Sequence, residues 1–316
     1  MPKWTAQDMP DQTGRTAIVT GANSGLGYET ALALARKGAH VVMAIRNLEK
    51  GQQAHDDIRK QVPNASLRMM KLDLSSLESV RSFARDFQQQ YSQLDLLINN
   101  AGVMATPYSH TKDGFEMQFG VNHLGHFALT GLLMEMLIAT PGSRVVTVTS
   151  TANYIGSIHF DDLQLKNNYS RYGAYGQSKL ANVMFTFELQ RRLQAAGVQT
   201  VALTAHPGLS STNLQSNTAN TNNSPLEMAL YTLAHATISQ NQTMGALPQL
   251  YAATAPEAKP GAFYGPHFLA TRGYPKEVRA NRKAYNEADA RRLWEMSEKL
   301  TGVTYDALEK QPARYA

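Results

Sequence analysis

The run Thr16–Thr20 (Thr-Ala-Ile-Val-Thr) ends directly on Gly21-Ala22-Asn23-Ser24-Gly25-Leu26-Gly27, and apolar residues spaced by threes and fours begin at once. Glycines so placed let a strand turn sharply into a helix, let backbone approach a ligand closely, and let helix pack on strand. The helix start then presents free N–H groups and a positive dipole end, a seat for an anion such as the pyrophosphate of a dinucleotide. A glycine triplet alone is weak evidence, but between a strand and a helix it is a strong signal. It predicts an α/β chain that opens with a strand, a Gly21–Gly27 turn and a helix over 25–37.

The chain that follows keeps the same alternation. Short β-branched or apolar runs at His40–Ile45, 66–72, 94–98, 144–149 and 200–204 are separated by helical periods over 48–61, 76–91, 115–138 and 172–196. Near-continuous apolar runs are expected of strands covered on both faces, so these are assigned to the middle of a parallel sheet with crossover helices. A last short strand is placed at 261–266 and an amphipathic helix at 288–300. The expected architecture is a Rossmann-like doubly wound parallel sheet with helices on both faces. No internal repeat or second core is visible. One unit is therefore expected over 1–316, with a dinucleotide-binding and catalytic core at 15–212 and a substrate lid and C-terminal extension at 213–316.

Composition excludes several chemistries. There are no cysteines, which removes disulfides, thiolate metal sites and cysteine nucleophiles. Thirty Lys and Arg against twenty-five Asp and Glu leave +5, but the basic residues are scattered, with no run that reads as a nucleic-acid surface. Residues 1–16 are polar and carry no signal-like apolar segment, and the apolar stretch 128–139 is interrupted and too short for a bilayer. The expectation is a cytoplasmic protein without a membrane anchor or nucleic-acid partner. His123 and His126 have spacing that could suit a metal, but no carboxylate completes a site, and no metal is expected.

A dinucleotide site needs a residue about 20 positions beyond the glycine turn, at the tip of the second strand, to read the adenosine ribose. Here the tip is Ala44-Ile45-Arg46-Asn47, with no Asp or Glu. A guanidinium offers charge and a fork of donors to a 2′-phosphate, where a carboxylate would repel it. Arg46 thus points to NADP(H). Further on, Tyr175 and Lys179 stand four apart at the start of a long helix and so share a face. An ammonium beside a phenol is expected to lower the phenol's pKa toward the range useful for proton transfer. Ser150 closes the fifth strand, Asn99-Asn100-Ala101-Gly102 the fourth, and His206-Pro207-Gly208 the sixth, with Thr212 shortly after; strand ends of this kind are where open α/β sheets bind ligands.

Together these motifs resemble the short-chain dehydrogenase/reductase superfamily, in the right order from Thr16 to Thr212. Within it, Met43-Ala44-Ile45-Arg46-Asn47, Asp113-Gly114-Phe115-Glu116, Asn122-His123-Leu124-Gly125-His126-Phe127, Lys179-Leu180-Ala181-Asn182 and the insertion containing Phe160-Asp161-Asp162-Leu163 are similar to the branch of retinol dehydrogenases and light-dependent protochlorophyllide reductases. The C-terminal region is similar to bacterial members of that branch. The resemblance implies an oxidoreductase in which Tyr175 exchanges a proton with a carbonyl or alcohol oxygen as hydride passes to or from the nicotinamide. Ser150 would hydrogen-bond that oxygen, Lys179 would bond the nicotinamide ribose, and Asn122 would hold a relay water. It further implies cofactor contacts from Gly21, Asn23, Ser24, Gly25, Leu26 and Gly27, from Arg46 and Asn47, and from Asp73 and Leu74 on the adenine side. Asn100, Ala101 and Gly102 would line the groove, and Pro207, Gly208 and Thr212 would pass over the nicotinamide end. Two-fold dimers and tetramers are usual in the superfamily.

For substrate, the polar stretch 213–224 followed by apolar residues over 225–238 is read as a lid over a hydrophobic pocket, which suits a bulky apolar ketone or aldehyde. Two rival readings are weighed. A light-driven protochlorophyllide-type reductase would carry cysteine where this chain has Ala181. A non-catalytic NADP(H)-sensing regulator would lack the serine, tyrosine or lysine, and all three are present.

Overall fold

The computed structural model describes residues 3–209, 240–268 and 270–309. Its centre is one eight-stranded sheet in the order β3-β2-β1-β4-β5-β6-β7-β8. The strands are β1 (Thr16–Thr20), β2 (His40–Ile45), β3 (Leu67–Lys71), β4 (Leu96–Asn99), β5 (Arg144–Val148), β6 (Val201–Ala205), β7 (Phe263–Phe268) and β8 (Arg272–Glu277). All neighbours are parallel except the antiparallel pair β7 and β8. The strand order reverses between β1 and β4, and such a switch point opens a crevice at the carboxyl ends of the strands.

Strand residues alternate between two buried layers, which explains the nearly unbroken apolar runs. Ala17, Val19, Val41, Met43, Leu96 and Ile98 face one layer, together with α1 (Gly25–Arg36) and α2 (Leu48–Gln61). Ile18, Val42, Leu97 and Val145 face the other, with α3 (Leu77–Gln90), α4 (Gly125–Leu132), α5 (Met134–Ala139) and α6 (Arg171–Ala195). Helix α7 (Gln242–Thr254) completes the first layer, and Trp294 of α8 (Glu287–Thr301) anchors the C-terminal region in the second.

Four sequence expectations need correction. β3 is an edge strand, not a central one, and its Arg68 and Lys71 are exposed, as suits an edge that must stay soluble. The single helix expected over 115–138 is instead a turn at Met117–Phe119, a π-helical turn at Gly120–Leu124, and then α4 and α5. Helix α7 was not anticipated, because Pro248 lies inside it. β8 was not anticipated either. Its Arg-Gly-Tyr-Pro-Lys-Glu sequence has poor strand propensity, but an edge strand tolerates proline. The proposed lid at 213–240 falls almost wholly outside the described residues.

Candidate active site

The glycine turn is built for close approach. Gly21 N–H donates to Ala44 O at 2.8 Å, tying the turn to β2. A Cβ on Gly27 would run into the Gly21 carbonyl and stand 2.6 Å from Asn100 Nδ2, so only glycine lets α1 sit this near the β1 and β4 ends. Asn100 Nδ2 in turn donates to Thr20 O at 2.8 Å. Ser24 is the N-cap of α1 yet makes no side-chain capping bond, whereas Asn47, Ser76 and Ser170 cap α2, α3 and α6. The first N–H groups of α1 are thereby left to an external acceptor, and a dinucleotide pyrophosphate fits that need. Leu26 is buried beneath the turn, and Asn23, Ser24 and Gly25 lie at its surface.

Arg46 is exposed at the tip of β2, as anticipated, while the neighbouring Asn47 spends its Oδ1 on Lys50 N–H at 3.0 Å as the cap of α2. At the end of β3, Asp73 accepts from Ser75 N–H and Oγ–H at 3.1 and 2.6 Å and pairs with Lys112 Nζ at 3.1 Å. Partial burial pushes its carboxyl up, but the Ser75 bonds and the Lys112 ammonium outweigh that and hold it below the usual range. Leu74 packs on Gly125, bringing this loop onto the start of α4.

The acid–base group comes together at the ends of β4 and β5. Ser150 caps the 3-10 turn Thr151–Ile155, with its Oγ accepting Ala152 N–H at 3.2 Å, and its side chain lies near the hydroxyl of Tyr175, whose pKa it draws down. Lys179 lies one helical turn on, its Nζ 5.6 Å from the centre of the Tyr175 ring and 3.3 Å from Val148 O, to which it donates. Gly102 backs directly onto this pair: a Cβ there would stand 3.4 Å from Lys179 Nζ and 2.9 Å from Asn122 Oδ1. The spacing therefore does bring Ser150, Tyr175, Lys179, Asn122 and Gly102 to one place.

Two expectations about this group change. Tyr175 is not lowered by its lysine neighbour: burial pushes it up to about 12, against the pull of the Ser150 hydrogen bond. Burial also brings Lys179 down to about 8. Spacing revealed the neighbours but not the depth at which they sit, and desolvation dominates there. The Asn122 side chain is fully committed, with Nδ2 donating to Val103 O and Ser178 Oγ at 2.9 Å each and Oδ1 accepting Val103 N–H at 2.8 Å. Its backbone carbonyl, in the π-turn, accepts from His126 Nδ1 at 3.0 Å and keeps a second lone pair for a water.

Pro207 and Gly208 follow β6, where Gln240 Nε2 donates to Pro207 O at 2.8 Å and Gly208 N–H donates to His206 Nδ1 at 3.2 Å. Leu209 N–H bonds Thr271 O, and Gln240 N–H bonds Leu209 O, so the residues flanking 210–239 are tied together and to the turn between β7 and β8. Thr212 lies outside the described residues. Sequence reading missed three residues that shape the site. Gln249 of α7 donates to Thr30 Oγ1 and Asn100 Oδ1 at 2.6 and 3.2 Å, Thr20 Oγ1 accepts the N–H groups of Asn100 and Ala101 at 2.9 Å each, and His126 meets that same hydroxyl. A threonine at a strand end carries no signal of this role in one sequence.

A buried tyrosine with serine beside it and lysine one helical turn away stands near an uncapped glycine-rich helix start, an arrangement that suits acid–base chemistry next to a bound dinucleotide. The family model described as short chain dehydrogenase matches residues 15–223, and the chain belongs to that family. It is 42% identical over 293 residues to Retinol dehydrogenase 12 of Mus musculus, covering 93% of this chain and 88% of the relative. The crystal structure of an uncharacterized protein from Mycobacterium Paratuberculosis is 43% identical, with a TM-score of 0.80 over 96% of this chain and 99% of that one. A structure described as an NAD(P) dependent gluconate 5-dehydrogenase from Beutenbergia cavernae, with bound NADP, is 25% identical, with a TM-score of 0.63 over 80% and 95% of the two chains. The protein is thus a short-chain oxidoreductase of the retinol dehydrogenase-like branch, acting on CH–OH or C=O groups with a nicotinamide cofactor.

Proposed function

We propose that the protein is an NADPH-dependent carbonyl reductase, and in the reverse direction an alcohol dehydrogenase, for bulky hydrophobic ketones or aldehydes. The observation that carries this reading is the buried Tyr175 with Ser150 beside its hydroxyl and Lys179 one helical turn away. When bound, the dinucleotide supplies the hydride. Tyr175, protonated at neutral pH, gives its proton to the substrate oxygen. Ser150 donates a hydrogen bond to that oxygen as charge develops on it. Lys179 keeps N–H donors beyond its bond to Val148 O, enough for the ribose hydroxyls, and the Asn122 carbonyl holds a water that returns a proton to the site.

Arg46 supports the choice of NADPH: it is exposed at the ribose end of the groove, with no carboxylate on the strand tip beside it. Exposed Tyr154 and Ile155, just after Ser150, and exposed Tyr172, just before Tyr175, support an apolar substrate. The retinol dehydrogenase name of the relatives points the same way. In this reading the whole chain works as one unit, with the C-terminal extension beyond 213 choosing the substrate. The test is the initial rate of NADPH and NADH oxidation against hydrophobic ketones and aldehydes, with sugars and 2-oxo acids as controls. NADPH is expected to be favoured by about tenfold or more in catalytic efficiency, and Arg46→Ala is expected to remove most of that preference. Equal use of the two cofactors, or an unchanged preference in Arg46→Ala, contradicts the NADPH assignment.

A further inference from the structure

The two histidines of Asn122-His123-Leu124-Gly125-His126 are both fully buried. His123 Nε2 lies 2.9 Å from Ser297 Oγ, and that serine donates its own proton to Leu293 O at 2.7 Å. In His126 it is Nδ1 that faces a carbonyl, Asn122 O, at 3.0 Å. A carbonyl only accepts, so Nδ1 carries the proton. Nε2, 3.0 Å from Thr20 Oγ1, must then accept. Burial holds the imidazole at about 4, so a second proton is absent at neutral pH.

These assignments give one directed chain. The N–H groups of Asn100 and Ala101 donate to Thr20 Oγ1, that hydroxyl donates to His126 Nε2, and His126 Nδ1–H donates to Asn122 O. The alternative acceptor for the Thr20 proton, Ile98 O, is farther, at 3.3 Å. Thr20 is the last residue before the glycine turn. Asn122 sits in the π-turn, where Gly125 N–H reaches back to Gly120 O. The ring also lies within electrostatic reach of Lys179.

We propose that His126 is a positioning residue that ties the Thr20 hydroxyl, at the root of the cofactor turn, to the backbone carbonyl of Asn122, so that one side chain sets both the cofactor seat and the kink beside Lys179. The catalytic half of this proposal rests on the function argued above. A bond from a side chain to the carbonyl four residues back is ordinary in this chain: Thr30, Thr130, Thr186 and Ser297 all make one. What sets His126 apart is the second nitrogen, which reaches a strand 106 residues away.

That contrast supplies the test. His126→Thr keeps a donor for Asn122 O and loses the link to Thr20, His126→Leu loses both, and Thr20→Val cuts the link from the other side. NADPH dissociation constants and steady-state kcat are measured on each, with thermal melts as a control for folding. His126→Thr and Thr20→Val are expected to weaken NADPH binding by about tenfold or more, and the double variant by less than the product of the two. His126→Leu is expected to lose kcat by about tenfold as well, and His126→Thr to recover most of that loss. Should His126→Leu fail to fold, the Thr20→Val and His126→Thr cycle decides alone. Additive effects in the cycle, native NADPH affinity in a folded His126→Thr, or kcat as low in His126→Thr as in His126→Leu overturns the proposal. Absence of turnover on any carbonyl by the unsubstituted protein would strike the functional reading instead, and the binding cycle would still test the Thr20 link.

Discussion

Tyr175 and Lys179 show how far a side chain's chemistry departs from its sequence neighbourhood. The four-residue spacing correctly puts them on one helical face, but the direction of the tyrosine's shift comes from its burial, which spacing does not report. With Tyr175 near 12 and Lys179 near 8, both hold their protons at neutral pH. Reduction needs the protonated tyrosine, so its rate is expected to be level below about pH 8 and to fall above it, as the Lys179 ammonium loses its proton. Alcohol oxidation needs the phenolate and is expected to rise over the same alkaline range. Profiles of kcat in the two directions check this; reduction that accelerates between pH 8 and 10 contradicts it. His126 makes the same point from another side. Its identity is plain in the sequence and its tautomer is fixed by the Asn122 carbonyl four residues back, but no spacing rule reveals the contact of its other nitrogen with Thr20.

Among the elements, those with strong periodicity were readable and those held by tertiary partners were not. The turn from β1 to α1 could be placed to the residue because glycine at 27 is demanded by the Gly21 carbonyl. The π-turn at Gly120–Leu124 could not, since its apolar period looks like uninterrupted helix. α7 and β8 carry Pro248 and Pro275, local signals against their structures, and both survive through burial and edge pairing. The hairpin of β7 and β8 matters to the site because its turn presses on the segment after β6. Gly208 has φ +68, and a Cβ there would strike the Thr271 carbonyl. Gly208→Ala is therefore expected to destabilise the fold by about 1–3 kcal/mol and to raise the KM for the cofactor more than it lowers kcat. An unchanged melting temperature together with an unchanged KM would show that this contact does not shape the nicotinamide end.

For the molecule as a whole, the alternation of strand and helix was enough to read the class, because the central strands had to be apolar on both faces to sit between two helical layers. The parallel strands β1, β4, β5 and β6 place the glycine turn, the Asn100 to Gly102 segment, Ser150 and Pro207 at the same carboxyl end of the sheet, and that convergence turns scattered motifs into one site. The C-terminal region is the part least legible in advance. Trp294 packs against Phe127, Phe185 and Tyr305, and Arg192 lies over its ring, contacts that join residues far apart in the chain and leave no local pattern. No helix among the described residues is long and apolar enough to cross a membrane. The central claim is that this assembly reduces carbonyls with a proton from Tyr175. The most direct test compares NADPH consumption with a hydrophobic ketone or aldehyde by the unsubstituted protein and by Tyr175→Phe, with NADPH binding measured in parallel. The account predicts that turnover falls by about a thousandfold or more while NADPH affinity stays within a few-fold. A Tyr175→Phe protein that turns over at close to the original rate would contradict it.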